Sequence, residues 1–263
     1  MKSIWRSLWR LGVLLLLSVL ALQLYFLARV ALMIVVAPQS TTFQRSEIWR
    51  LATEQHEVLW SQDWVAYEHI ADPLKRAVIA SEDANFSDHS GVEWDALENA
   101  WERNQRAEQQ AEKINERIDK RLARAPVSKV AAARPVVHAQ PKVVGGSTIT
   151  QQLAKNLFLG GERSLARKGQ EFIITVMLEA LLSKERILEI YLNNVEWGEG
   201  IFGAEAAARH YFHVPAARLG TMQAARLAVM LPAPKRFEKR PGSAYVVGRA
   251  GTVAARMSSV DLP

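Results

Sequence analysis

The chain has 263 residues, 33 Lys and Arg against 27 Asp and Glu, and no cysteine. That length admits one large domain or two small ones, and the apolar and charged fractions are those of a globular protein, not a disordered one. The missing cysteines exclude disulfides, thiol nucleophiles and thiolate metal sites, and the net charge of +6 suits an anionic partner.

Lys2, Arg6 and Arg10 precede an apolar run from Leu11 to Ala28. As a helix its 18 residues span roughly 27 Å, one hydrocarbon core. Arg29 interrupts, Val30 to Ala37 is apolar again, and Pro38 ends the run. A transmembrane anchor is expected over 11–37, with Arg29 snorkelling to an interface or packed against a partner helix. A cleaved signal peptide is the competing reading, but the run is long for one and no A-x-A-like site follows. The N-terminal positive charges place residues 1–10 in the cytoplasm and the rest of the chain across the membrane. Residues 38–64 read as a juxtamembrane connector. Trp49, Leu59, Trp60 and Trp64 there, and Tyr67 just beyond, suit either a membrane interface or a core.

Asp72 to Ala80 predicts a helix with Pro73 at its first position. It delivers the chain to Glu82 and Asp83, with Phe86, His89 and Gly91 close behind. A carboxylate beside apolar side chains can have its pKa raised into the range of a general base; a solvated helix end stopped by Gly91 accounts for the same letters. Trp94 to Ala125 is a charged helix with sparse apolar positions, a solvated excursion. Residues 126–144 read as a loop.

Gly145 to Asn156 (GGSTITQQLAKN) is the most informative stretch. Two glycines allow a tight turn, Ser147 and Thr148 can cap a helix, and Ile149, Leu153 and Leu157 form a narrow apolar face. Gln151, Gln152 and Lys155 fall on other faces, which fits an ordinary capped helix or a polar surface for a ligand. Lys155, Arg163, Arg167 and Lys168 then place four cations within fourteen residues, a cluster that needs an anion or solvent. Phe172, Ile173, Val176, Met177, Ala180 and Leu181 give the next helix its apolar positions. Ser183 caps another, Arg186–Asn193, in which Glu189 is either a paired, buried carboxylate or on the wet face. Gly198 to Gly203 matches G-x-G-x-x-G, but no βαβ unit surrounds it and Gln223 and Ala224 stand where a ribose-binding acid belongs, so it reads as a glycine-rich turn. His210 and His213 lack a third ligand for a metal. Met222–Met230 is a further helix, and residues 235–263 read as a basic loop.

Five of these stretches together resemble the motifs of the peptidoglycan glycosyltransferases. Glu82–Gly91 is similar to E-D-x-x-F-x-x-H-x-G, Gly145–Asn156 to G-G-S-T-I-T-Q-Q-x-x-K-N, and Arg167–Glu171 to R-K-x-x-E. Lys184–Asn193 is similar to K-x-x-I-L-E-x-Y-L-N, and Gly198–Phe212 to the glycine turn and A-A-x-x-Y-F helix that follow. The resemblance covers about residues 65–240, which leaves 241–263 as a tail and 103–143 as an excursion longer than the family needs, with no role assigned. No transpeptidase activity is expected. Gln223 stands where relatives often carry Glu, and His213 where Lys is common.

The resemblance implies a mainly α, lysozyme-like domain with a small hydrophobic jaw next to the membrane. It implies polymerisation of lipid II into β-1,4 glycan strands, inversion at the donor carbon and release of undecaprenyl pyrophosphate. Glu82 would be the base for the acceptor hydroxyl and Glu171 the second essential carboxylate, orienting cations or a metal. Lys155, Arg163, Arg167 and Lys168 would stabilise the departing pyrophosphate, with Mg²⁺ or Mn²⁺ as an added cation and no organic cofactor. Thr148, Gln151, Gln152 and Asn156 would bind substrate, and Asp83, Phe86, His89 and Ser147 would shape the site. The partners implied are lipid II, the nascent glycan, the membrane and other cell-wall synthesis or division proteins, not nucleic acid. The bacterial inner membrane, with the catalytic domain periplasmic, is the expected location. A glycan-cleaving lysozyme or lytic transglycosylase and a tethered scaffold are the competing functions; neither needs a pyrophosphate-sized cation cluster.

Overall fold

The computed structural model describes residues 2–123, 138–139, 146–162 and 164–263. Most of the expected loop at 126–144, together with Gly145 and Arg163, lies outside them. The described residues are mainly helical and separate into two compact units, 1–92 with 148–263, and 93–147.

In the larger unit, helix α1 (Lys2–Leu32) runs straight through Arg29, whose guanidinium bonds Tyr25 on its own helix. From Ile4 to Leu32 it is long and apolar enough to cross a membrane, and most of its large apolar side chains up to Leu24 are exposed. Its last turns are different. Phe26 and Val30, followed by Met33, are buried in the domain core. The connector is largely structured. Thr41 and Gln44 form a capping box at the start of α2 (Thr42–Arg50), a short π-helical turn follows at Leu51–Gln55, and Trp60 stacks on Phe202 at 4.5 Å between ring centroids.

Helix α3 (Asp72–Glu82) has Pro73 in its first turn and buries Leu74, Ala77, Val78 and Ile79. Helix α5 (Ile149–Phe158) buries Ile149, Leu153 and Leu157, the face its spacing predicts. Helix α6 (Leu165–Leu181) corrects its expected face. The residues turned fully inward are Glu171, Ile174, Thr175 and Leu178, while Phe172, Ile173 and Val176 are exposed. Helix α7 (Lys184–Asn194) starts at its Ser183 cap, and Glu189 is paired with Arg186 at 2.7 Å. Three short strands follow the order β1-β3-β2. Strand β1 (Ser61–Gln62) runs parallel to β3 (Ile201–Phe202), and β2 (Glu196–Gly198) antiparallel to it.

The G-x-G-x-x-G segment is the β2–β3 turn and the start of α8 (Ala204–Phe212). Its glycines allow backbone to approach backbone. Gly200 has φ +72°, and a Cβ there would lie 1.9 Å from the Leu59 carbonyl oxygen. Helix α9 (Thr221–Met230) is capped by Gln223, whose Oε1 accepts from Gly220 N, so the amide serves the turn where a Glu was expected. Past the short α10 (Pro234–Phe237), the expected loop is in fact largely helix α11 (Ala244–Arg256). Val246, Ala250 and Val253 are buried, and the helix packs on α9 and α3. Packing outweighs the poor propensity of Gly248, Gly251 and three valines.

In the smaller unit, α4 (Trp94–Ala123) is the charged helix of the sequence. Trp94, Leu97 and Trp101 are exposed on it, and the Asn115 side chain holds the backbone of Ala139 through two hydrogen bonds.

Candidate active site

The end of α3 and the start of α5 are tied by side chains from the two most specific motifs. Asp83 is buried, and its Oδ2 accepts from the backbone N–H of Ile149 at 2.9 Å, the first amide of α5. Its Oδ1 lies 2.8 Å from His89 Nε2. His89 Nδ1 accepts from the Gly91 amide, so the ring proton is on Nε2 and is donated to Asp83. Thr148 caps α5 in a capping box with Gln151, and its hydroxyl donates to the Gly91 carbonyl at 2.6 Å. Gly91 needs its φ of +84°, and a Cβ there would press on Thr175 and Glu179. Phe86 is fully buried, with the Lys184 ammonium 4.5 Å from its ring centre. Asp83, Phe86, His89, Thr148 and Gln151 therefore hold a loop against a helix start. Thr148 and Gln151, expected to meet substrate, are buried in this brace and turn their polar atoms to the cap. Ser147 precedes them on the exposed side.

Glu82 ends α3 on this brace. Its Oε2 accepts from Gln152 Nε2 at 2.9 Å, and Gln152 Oε1 accepts from the Tyr191 hydroxyl at 2.9 Å. Tyr191 is fully buried on α7, and burial, reinforced by Glu82 and Asp83, pushes its pKa well above the ordinary value. It stays a donor, which fixes the Gln152 amide with its NH₂ toward Glu82. Burial raises the Glu82 pKa; the Gln152 bond works against this and Asp83 adds to it. The chain Tyr191–Gln152–Glu82 makes Tyr191 a site residue that sequence reasoning left in a helix motif. Its only signal was a hydroxyl in an apolar run.

A cavity of about 400 Å³ opens beside Gln152. Lys155, Asn156 and Arg167 line it with Gln152, and so do Phe43, Glu196 and Leu231. Burial pulls the Lys155 ammonium below its usual pKa, with Glu171 opposing and Arg167 and Lys168 adding to the depression. An anion in the cavity relieves that self-repulsion. Arg167 Nη1 donates to Glu171 Oε2 at 2.8 Å, while its buried Nε has no hydrogen-bond partner among the described residues. Lys168 takes the other oxygen of buried Glu171 at 2.5 Å. Glu171 thus aligns two cations, one on each of its oxygens. The structure brings Gln152, Lys155, Asn156 and Arg167 to one cavity and joins Glu82 to it through Gln152. Glu171 and Lys168 stand behind Arg167.

A helical domain with a carboxyl of raised pKa leading into a cavity lined by cations is an architecture for group transfer from an anionic leaving group. The chain belongs to the transglycosylase family, whose profile matches residues 50–113 and 120–258 and which has a lysozyme-like helical fold. That match runs through most of 103–143 and through α11. The chain is 50 % identical over 244 residues to a protein named biosynthetic peptidoglycan transglycosylase from Burkholderia pseudomallei, covering 93 % of this chain and 83 % of that one. It is 46 % identical over 254 residues to one of the same name from Paraburkholderia phytofirmans, covering 96 % and 92 %.

Proposed function

We propose that the cavity polymerises lipid II into β-1,4 glycan by a single inverting displacement, with Glu82 as general base. The protein is a peptidoglycan glycosyltransferase of cell-wall synthesis, as its family and relatives indicate. The observation that carries the mechanism is the junction of Glu82, through Gln152, with a cavity lined by Lys155 and Arg167, where the buried Arg167 Nε has no hydrogen-bond partner among the described residues.

A sugar hydroxyl is a poor nucleophile and needs its proton removed as it attacks. Burial holds Glu82 basic enough for that, and Gln152 orients it. The donor leaves as undecaprenyl pyrophosphate, already a good leaving group, so the requirement is charge stabilisation rather than a second acid. Lys155 and Arg167 supply it, with Lys168 and Arg163 in support, and the unused Arg167 Nε–H is a donor for a phosphate oxygen. A backside displacement converts an α-linked donor to a β product.

The membrane reading rests on α1 and its neighbour. Gln23 of α1 and Gln170 of α6 exchange two hydrogen bonds at 2.8 and 3.0 Å. On α6 the exposed Leu165, Phe172 and Val176 recur at helical spacing on one face, with Ile173 beside it. Those residues form the hydrophobic jaw beside the bilayer, where a lipid-linked substrate is met. Lys2, Arg6 and Arg10 favour a cytoplasmic N-terminus, a periplasmic domain and the inner membrane. Incubation with lipid II, followed by analysis of the product linkage, tests the mechanism. New β-1,4 bonds formed with release of lipid pyrophosphate are expected; α-linked product, or cleavage of existing glycan, refutes it.

A further inference from the structure

The cavity contains a second unmatched polar group, and it carries the opposite charge. Glu196 lies on β2, and the residues around it are fixed by backbone and side-chain bonds. Its neighbour Val195 accepts from the Gly203 amide. On its other side, Trp197 donates its indole N–H to the Leu227 carbonyl and accepts from the Tyr211 hydroxyl. The Glu196 side chain keeps 8 % of its surface exposed, yet it lines the cavity, and its buried Oε1 has no hydrogen-bond partner among the described residues. Lys235 of α10 forms a long ion pair with that oxygen at 3.5 Å, while its ammonium bonds Glu47 of α2 more closely. Arg50 is likewise taken, by Glu47 and Glu199. Glu238, beyond α10, accepts from the Glu199 amide. Glu47 is therefore the closer counter-ion of Lys235, and Glu196 the looser one.

We propose that Glu196 is a recognition residue of the cavity, its carboxylate accepting a hydrogen bond from a hydroxyl or an acetamido N–H on the sugar of the bound donor. The inference rests on the glycosyltransferase reading of the site. One cavity then presents a donor, Arg167 Nε, and an acceptor, Glu196 Oε1, that have no hydrogen-bond partner among the described residues, the acceptor lying 3.5 Å from Lys235. A sugar phosphate answers both, since its phosphate accepts and its hydroxyls and amide donate; a simple anion answers only the first. Hydrophobic walls at Phe43 and Leu231 suit the carbon face of a sugar ring. Glu196 makes no contact with the reacting atoms in this role, and it acts on binding rather than on turnover.

Its surroundings make that binding sensitive to pH. Burial pushes the Glu196 carboxyl up to about 7; Lys235 opposes the rise, and Glu47 and Glu238 add to it. The accepting form is the carboxylate, so donor affinity improves as pH rises through about 7.

The test is steady-state polymerisation of lipid II by the full chain in detergent, over about pH 5.5 to 9, for wild type, Glu196→Gln and Glu196→Leu, with melting curves for all three. Glu196→Leu is expected to raise KM about 10-fold or more and leave kcat within about 2-fold, the pattern of lost ground-state binding. Glu196→Gln keeps an acceptor oxygen and the shape, so it raises KM less, and it loses the fall of KM through neutral pH. KM within about 2-fold of wild type in both variants overturns the proposal. So does a lower kcat at unchanged KM, or a neutral-pH limb that survives in Glu196→Gln. If Glu196→Leu does not fold, the pH profile of Glu196→Gln decides. Wild-type protein that forms no polymer would instead refute the function on which the proposal rests.

Discussion

Replacing Gln152 by Leu should move the pH dependence of turnover without removing the base. Gln152 Nε2 donates to Glu82 at 2.9 Å and is the hydrogen bond that holds the carboxylate's pKa down against burial. A hydrogen bond to a charged group is worth about 1.5–3 kcal/mol, and 1.36 kcal/mol corresponds to one pKa unit. Its loss removes that stabilisation of the carboxylate and should raise the Glu82 pKa. The base acts as the carboxylate, so turnover rises with pH through that pKa, and the acidic limb of kcat should shift to higher pH, lowering turnover on that limb by about 10-fold or more at a given pH. Tyr191→Phe frees the amide to turn and should give a smaller shift in the same direction. The assay is polymerisation of labelled lipid II at saturating substrate across pH. Melting curves should accompany it, because the Leu variant leaves the buried Tyr191 hydroxyl unpaired. An acidic limb that stays in place in folded Gln152→Leu would refute the coupling of Gln152 to Glu82.

Three other outcomes are expected. Lys155→Ala and Arg167→Ala should each weaken lipid II binding or turnover by about 10-fold or more, as loss of a charge-assisted phosphate contact requires; unchanged kinetics for both would remove the pyrophosphate role. Glu196 links stability to pH. Its folded pKa lies above the ordinary value, so the folded state holds the extra proton between 4.5 and about 7 and stability falls as pH rises through that window. Glu196→Gln should therefore stabilise the protein by about 3 kcal/mol at pH about 8 and have little effect at pH about 4, as denaturant titrations at both pH values would show. Gly200→Ala drives a Cβ to 1.9 Å from the Leu59 carbonyl oxygen and should cost roughly 3 kcal/mol or more, read as a lower denaturation midpoint at constant m-value.

Much of this architecture is written in local pattern. The cap and apolar face of α5, the proline start of α3, the Ser183 cap of α7 and the long apolar α1 all follow from residue type and spacing. What pattern did not separate was ligand chemistry from structural chemistry. Thr148 and Gln151 look like ligand groups beside a glycine turn, but a helix start buried against a loop needs its amides satisfied, and they are used there. Gln152, one residue on, faces Glu82 instead. Glu196 was passed over because a single acid before a glycine turn has no local signature; only its place in the cavity and its loosely held oxygen mark it. The face of α6 was misjudged because the helix has apolar residues on both sides, so composition did not decide which side meets the core. Helix α11 was missed because its glycines and valines disfavour a helix locally, and the surfaces of α9 and α3 that stabilise it are distant in sequence.

The most direct test of the central claim is incubation of the purified, detergent-solubilised protein with labelled lipid II, with lysozyme added afterwards, for wild type and Glu82→Gln. The account predicts a lysozyme-sensitive polymer from wild type, and polymerisation lowered by about 10²–10⁴ in a folded Glu82→Gln. Wild-type protein that makes no polymer, or a Glu82→Gln protein that polymerises at the wild-type rate, would contradict it.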